Sequence, residues 1–394
     1  MEKEEKVKIL QDLIKIKSIN GNEEEVAVYL QNLLKNHGID SKLIQYAEGR
    51  SSLVAEIKSG SSSRVLGLTG HMDVVDIGNE SLWTYPPFSA TIDGDKLYGR
   101  GSTDMKSGLA AITIAMIELK EAETKFDGII RLLATVGEEV GELGGCQLTE
   151  LGYADDLSGL IIAEPTNYNL VYTHMGSINY SVVSACKAAH SSQPQEGFNA
   201  INHLNEFITV VNVEMDKIAE EYPDAELGTT IHNVTVIRGG DQVNAIPGEA
   251  SLEGNIRSVP TYGNDKIKAK LQEVVDKVNE NHDYKLTLTI DEDKVAVQSD
   301  KNSILIQTIQ SEFDTPLPVI GIAGTTDAAE FVKSKNKFDF VVFGPGVSNL
   351  PHQVNEYVEI SNYLDMIDTY QNIAKKYLYS NLRLYYFMLQ FKYE

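Results

Sequence analysis

Cysteine is nearly absent from this chain: 394 residues include two, Cys146 and Cys186. That excludes a disulfide framework, and each cysteine reads as a small core side chain rather than a ligand or nucleophile. Basic residues are also scarce, with 34 Lys and Arg against 57 Asp and Glu and a formal net charge of -23. Such a balance argues against a nucleic-acid backbone or an anionic membrane as partner. No stretch approaches the ~20 consecutive apolar residues that a membrane-spanning helix needs. The opening MEKEEKVKIL lacks the basic-then-apolar pattern of a secretory leader. A cytoplasmic location is the expectation. No period repeats along the chain. What is plentiful is apolar side chain, 42% of residues, enough for sizeable cores. The length exceeds what one core usually spans, so two domains are expected.

The first third alternates helix and strand signals. Val7, Leu10, Leu13 and Ile14 recur at helical spacing, and a second helix is expected from about Glu23 to Asn36, closed by His37-Gly38. Short apolar runs near 53–57, 65–69, 129–136 and 160–163 read as buried strands, with a helix over 106–119 among them. This alternation predicts an α/β domain with a mostly parallel sheet and helices on both faces. From about Ile178 the order becomes β-α-β-β-α-β, the split arrangement of a ferredoxin-like α+β unit. Runs at 319–322 and 340–343 then resume, and a helix over 361–377 completes the fold. The expected domains are therefore residues 1–177 with 292–378, interrupted by an inserted unit over 178–291. An aromatic tail over 379–394 (Tyr385, Tyr386 and Phe387 among others) has no assigned role.

Five potential metal ligands follow these elements in the order His71, Asp104, Glu139, Glu164, His352. In open α/β sheets, ligands gather at the carboxyl ends of strands, so residues remote in sequence can converge there. In His71-Met72-Asp73, an extended backbone points positions two apart to one side. Asp73 is thus expected to hydrogen-bond one nitrogen of the His71 ring while the other faces a metal. Asp104 lies in the glycine-rich stretch Gly99-Arg100-Gly101-Ser102-Thr103-Asp104. An aspartate where a dinucleotide fingerprint needs its third glycine rules that fingerprint out. At Glu138-Glu139, one carboxylate can ligate while its neighbour accepts a proton. Two divalent cations bring four positive charges, and Asp104, Glu139, Glu164 and a bridging hydroxide supply four negative ones. Zinc suits such N/O ligation, and cobalt or manganese also fit. No H-E-x-x-H helix is present, so a single-zinc protease is unsupported.

Gly70-His71-Met72-Asp73, Gly344-Pro345-Gly346 and His352-Gln353-Val354-Asn355-Glu356, taken with these residues, resemble the dinuclear zinc amidohydrolases of the M20 peptidase family. The resemblance runs to about Leu378 and is nearest to the succinyl-diaminopimelate desuccinylase and acetylornithine deacetylase branch. It implies that His71 and Glu164 bind one metal and Glu139 and His352 the other, with Asp104 between. It makes Glu138 the general base toward a water bridging the metals, and Asp73 the residue that orients His71. It also implies that the insertion is a lid and dimerisation domain. There, His190 would stabilise an oxyanion, across a homodimer in some relatives, and Asn244 and Arg257 would contact substrate. Gly324 and Thr325 would line the pocket. The implied reaction is hydrolysis of an N-acyl amino acid amide, foremost N-succinyl-diaminopimelate in lysine and diaminopimelate biosynthesis. N-acetylornithine deacetylation and di- or carboxypeptidase activity are the rivals. A non-catalytic metal-binding scaffold on a degenerate fold is the remaining alternative.

Overall fold

A computed structural model of the chain describes residues 1–379. The aromatic tail noted above falls, beyond Tyr379, outside the described residues. The described residues form two compact units: Met1–Tyr172 with Ser299–Ile320 and residues 326–379, and Thr173–Gln298 with Gly321–Thr325. Among the described residues, no helix is long and apolar enough to cross a membrane.

The larger unit is α/β. Gly128–Thr135, Val65–His71, Gly159–Ile162 and Asp339–Val342 lie side by side and parallel. Every residue of Val65–His71 and Gly159–Ile162 is buried, as expected of strands covered on both faces. Antiparallel strands extend this centre. Arg50–Ser59 pairs with Gly128–Thr135, and Ser41–Ala47 pairs in turn with Arg50–Ser59. On the other side, Val171 of Leu170–His174 pairs with Val342. Ser41–Ala47 is a half-exposed edge that the apolar-run criterion passes over.

Helix Lys106–Glu121 is apolar almost all round, with Leu109, Ile112, Ile114, Met116 and Ile117 buried, and it packs against Ile360–Tyr377. Each fully buried side chain of this size contributes about 1.5–3 kcal/mol. Gly108 is what lets this helix approach the sheet: a Cβ there would sit 1.8 Å from the Ala163 carbonyl oxygen.

The smaller unit has a core of its own. Its sheet runs in the order Ile231–Gly239, Glu249–Ser258, Gly176–Ala185, Lys285–Lys294, all antiparallel. Helices Ala200–Glu221 and Asn264–Glu280 cover one face, giving the expected ferredoxin-like order. Alternate strand residues (Ile178, Tyr180, Val182; Leu252, Gly254, Ile256) are buried, as a half-covered sheet requires. Asn199 caps the first helix by accepting the N–H groups of Ile201 and Asn202.

Candidate active site

Strand register assembles the site. His71 is the last residue of its strand and sits opposite Thr135, so the turn Gly137-Glu138-Glu139 emerges beside it. On the other side, Thr69 is paired with Ile162, and Ala163-Glu164 continues from there. Ile162 also pairs with Val342, whose strand leads by a longer loop to His352. Neighbouring strands lie about 4.8 Å apart, so three consecutive strand ends deliver their polar residues into one small volume. Asp104 arrives separately, in the turn that opens helix Lys106–Glu121, and its peptide bond to Met105 is cis.

The resulting distances are short. His71 Nε2 lies 3.0 Å from Asp104 Oδ1 and 3.4 Å from Glu164 Oε1. His352 Nε2 lies 2.9 Å from Glu139 Oε2 and 3.5 Å from Asp104 Oδ2. The Asp104 carboxylate therefore turns one oxygen to each imidazole, and each imidazole has a glutamate of its own. His71 Nδ1 donates to the backbone carbonyl of Asp73 at 3.0 Å, so Nε2 is the ring nitrogen that faces Asp104 and Glu164. The Asp73 carboxylate stands farther away, 3.5 Å from Nδ1. Its two oxygens accept the backbone N–H groups of Glu138 and Glu139 at 3.1 and 3.2 Å. His352 has its backbone in the left-handed region, φ 65°, and is half exposed, whereas His71 is buried.

Burial raises the cost of charge throughout this cluster. It pushes Glu138 well above the usual carboxylate range, opposed by His71 and reinforced by Glu164, Glu139 and Asp327. Glu164 is raised in the same way, by burial first, with His71 opposing and Asp104 and Glu139 adding. Glu139 is raised by burial against the hydrogen bond from His352. For Asp104, burial also pushes upward, but His71 and His352 prevail and hold it below its ordinary value. Burial disfavours the His71 cation, yet Glu164, Asp104 and Asp73 outweigh it and carry its pKa well above 6.5.

This donor set suits cations. His71, Asp104 and Glu139, and separately His71, Glu138 and Glu164, offer ligand atoms within 4.8 Å of one another. Glu139 Oε1 is buried without a hydrogen-bond partner, the condition that a bound cation would relieve.

The remaining expected site residues belong to the smaller unit. His190 and Asn244 are neighbours there: His190 pairs with Ala245, and Ser191 N–H donates to the Asn244 carbonyl at 3.0 Å. The His190 ring is exposed and accepts the Ser192 N–H on Nδ1. Arg257 lies near the far end of Glu249–Ser258, opposite Ile231 and Ser177. Gly324 and Thr325 fall in the short segment Gly321–Thr325.

Three residues around the site were not singled out by motif. Glu356 is fully buried and accepts the N–H groups of Gly101, Thr103 and Asp104 as well as Arg100 Nη1. Burial raises it to about 7, with Asp104 adding and the hydrogen bonds and Arg100 opposing. Lys106 is buried too, donates to the carbonyls of Leu13 and Ile16, and is lowered to about 7 by burial, against Glu356 and Asp73. Arg100 and Glu356 fall within the stretches 99–104 and 352–356, but spacing gives no signal that charges this far apart in sequence pair.

Comparison with known proteins shows the family. Residues 67–376 match the model of peptidase family M20/M25/M40. A probable succinyl-diaminopimelate desuccinylase of Staphylococcus epidermidis is 40% identical over 406 aligned positions, covering 96% of this chain and 99% of the relative. An M20 family metallo-carboxypeptidase from Sulfolobus solfataricus superposes with a TM-score of 0.77 at 20% identity, over 95% of this chain and 99% of that one. A dinuclear metal-binding M20 peptidase of Bacillus subtilis does so with a TM-score of 0.73 at 14% identity, over 95% and 98%. The chain belongs to peptidase family M20/M25/M40 and is a hydrolase acting on amide bonds.

Proposed function

We propose that the chain removes the acyl group of an N-acyl amino acid with the help of two divalent cations, and that its substrate is N-succinyl-diaminopimelate. The observation that carries the metal reading is the Asp104 carboxylate, which faces His71 through one oxygen and His352 through the other. On this reading His71 and Glu164 hold one cation, Glu139 and His352 the other, and Asp104 serves both, with zinc the metal best suited. When bound, two such cations polarise the amide carbonyl and make water acidic enough to attack near neutral pH.

Glu138 is left over from this set, buried beside it and held by its backbone N–H on Asp73. Its carboxylate takes one proton from the attacking water as the water oxygen adds to the carbonyl carbon. It then returns that proton to the nitrogen as the C–N bond breaks, so acid and free amine leave with no other reactant consumed. A carboxyl raised by burial suits both transfers better than an exposed one. His190 serves as a donor to the oxyanion, a contribution worth about 3 kcal/mol. Asn244 hydrogen-bonds substrate, Arg257 forks onto a substrate carboxylate, and Gly324 and Thr325 line the pocket. The substrate itself rests on the relatives' names.

A homodimer belongs to the same reading. His190 and Asn244 lie beyond the Glu249 end of the small sheet, while Arg257 is eight residues along that strand. At about 3.4 Å per residue this is about 27 Å, too far for one copy to bring all three to one substrate. Two copies do so if the exposed edge Ile231–Gly239 or its neighbourhood joins them.

Two experiments test the proposal. Glu138→Ala with metal content unchanged should lose nearly all turnover, and near-normal turnover rejects Glu138 as base. Assays on N-succinyl-diaminopimelate, N-acetylornithine and dipeptides in parallel should favour the first, and a preference for either other class rejects the substrate. For the dimer, inactive Glu138→Ala and His190→Ala chains, unfolded and refolded together, should recover about a quarter of wild-type activity if His190 serves the partner's site. No recovery places His190 within its own subunit.

A further inference from the structure

Arg100 and Glu356 touch none of the side-chain atoms proposed to bind metal, yet they join the two loops that carry Asp104 and His352. Both are buried, Arg100 at 2% and Glu356 at 0% exposure. Both Glu356 oxygens are fully used. Oε1 accepts the backbone N–H groups of Thr103 at 2.8 Å and Asp104 at 2.9 Å. Oε2 accepts Gly101 N–H at 3.1 Å and Arg100 Nη1 at 2.8 Å. Three N–H groups of the Asp104 turn thus converge on a carboxylate that sits four residues past His352.

Arg100 closes the loop in the other direction. Its Nη1 donates to the Gln353 carbonyl at 3.1 Å and its Nη2 to the His352 carbonyl at 3.4 Å. Nη2 also reaches the Asp76 carbonyl at 3.2 Å, and the guanidinium lies over the Trp83 ring. His352 needs such support because its backbone is in the left-handed region, which a residue with a Cβ rarely adopts. His71, by contrast, is fixed by its own strand and by the Asp73 carbonyl.

We propose that Arg100 and Glu356 are positioning residues, a buried clamp that sets the bridging carboxylate of Asp104 against the imidazole of His352 and so governs occupancy of the metal position shared by Asp104, Glu139 and His352. The proposal rests on the two-cation reading above. It predicts a selective defect. The position built on His71 and Glu164 keeps the supports of those two ligands and loses only the alignment of the shared Asp104, while the other loses the alignment of two of its three ligands.

The test is stepwise zinc binding to the metal-free chain by calorimetry, for wild type, Glu356→Gln, Glu356→Asp and Arg100→Lys. Glutamine offers two N–H donors where the site presents only donors, aspartate falls one methylene short, and lysine keeps the charge but cannot fork. The expected result is a first equivalent within about twofold of wild type and a second weakened at least about tenfold. Turnover is restored by raising zinc, with KM for substrate little changed. Equal weakening of both equivalents, or none in a variant whose circular dichroism and thermal transition match wild type, overturns the clamp. A variant that does not fold lacks both equivalents, so Arg100→Lys, the mildest change, carries the decision. A wild-type chain that takes up fewer than two equivalents defeats the dinuclear reading instead, which separates the two failures.

Discussion

Replacing Asp73 with asparagine separates two roles that sequence alone merges. The carboxylate accepts the N–H groups of Glu138 at 3.1 Å and Glu139 at 3.2 Å, one on each oxygen. Asparagine is nearly isosteric but offers one oxygen, so at least one of these bonds is lost and an amide N–H₂ meets a backbone N–H. A hydrogen bond to a charged acceptor contributes about 1.5–3 kcal/mol, and the buried, unpaired donor adds to the loss. If the turn at 137–139 relaxes by that amount, kcat/KM should fall about 10- to 100-fold. His71 should keep its tautomer, because the acceptor for its Nδ1 is the Asp73 main-chain carbonyl, which the substitution leaves in place. The assay is steady-state kinetics on metal-replete protein, with zinc content and thermal unfolding measured on the same samples. Turnover within about threefold of wild type refutes the argument that this carboxylate holds the base and ligand in place. Selective loss of the zinc bound by His71, with Glu138 function retained, shows instead that the carboxylate acts on the imidazole.

Gly108→Ala sets two effects against each other. Alanine favours the helix by about 1 kcal/mol, but its Cβ would stand 1.8 Å from the Ala163 oxygen. A lowered thermal transition and weaker zinc retention through the adjacent Glu164 are expected, and an unchanged or raised transition contradicts the close packing. His174 gives a pH test. Burial lowers it to about 4 from an ordinary 6.5, so between those values the unfolded chain binds a proton that the folded chain refuses. Stability should therefore fall as pH drops through that window, by about 1.4 kcal/mol per unit and ~3 kcal/mol in all. Urea unfolding of wild type and His174→Gln from pH 7 to 4 checks this, and parallel curves for the two refute it.

Much of the fold was legible because buried parallel strands write themselves as unbroken apolar runs. Val65–Thr69 and Leu160–Ala163 are such runs, and the metal-binding residue types that follow them, His71 and Glu164, stand out against the apolar background. The edge strand Ser41–Ala47 was not legible, since half-exposed Leu43, Ile44 and Tyr46 carry no clean alternation. Nor was the antiparallel direction of Arg50–Ser59, which depends on pairing rather than composition. The expectation for Asp73 extended strand geometry two residues past His71, but the strand ends at His71. The Asp73 carbonyl stands nearest the ring, 3.0 Å from Nδ1, with the carboxylate 3.5 Å from the same nitrogen. The contacts of Glu356 with residues 100–104 were invisible for a different reason. Each partner is an ordinary charged residue or a backbone N–H, and only the closed fold brings them together.

The amine of Lys106 reaches two carbonyls at the end of the first helix, Leu13 and Ile16, from a position two residues beyond Asp104. The chain's opening segment is thereby moored beneath the proposed metal centre, although it contributes none of the proposed ligands. A cut after Ile16 would remove the anchorage of the buried Lys106 amine, two residues past Asp104. Damage at this terminus should then register first as leaking metal, well before the sheet itself comes apart.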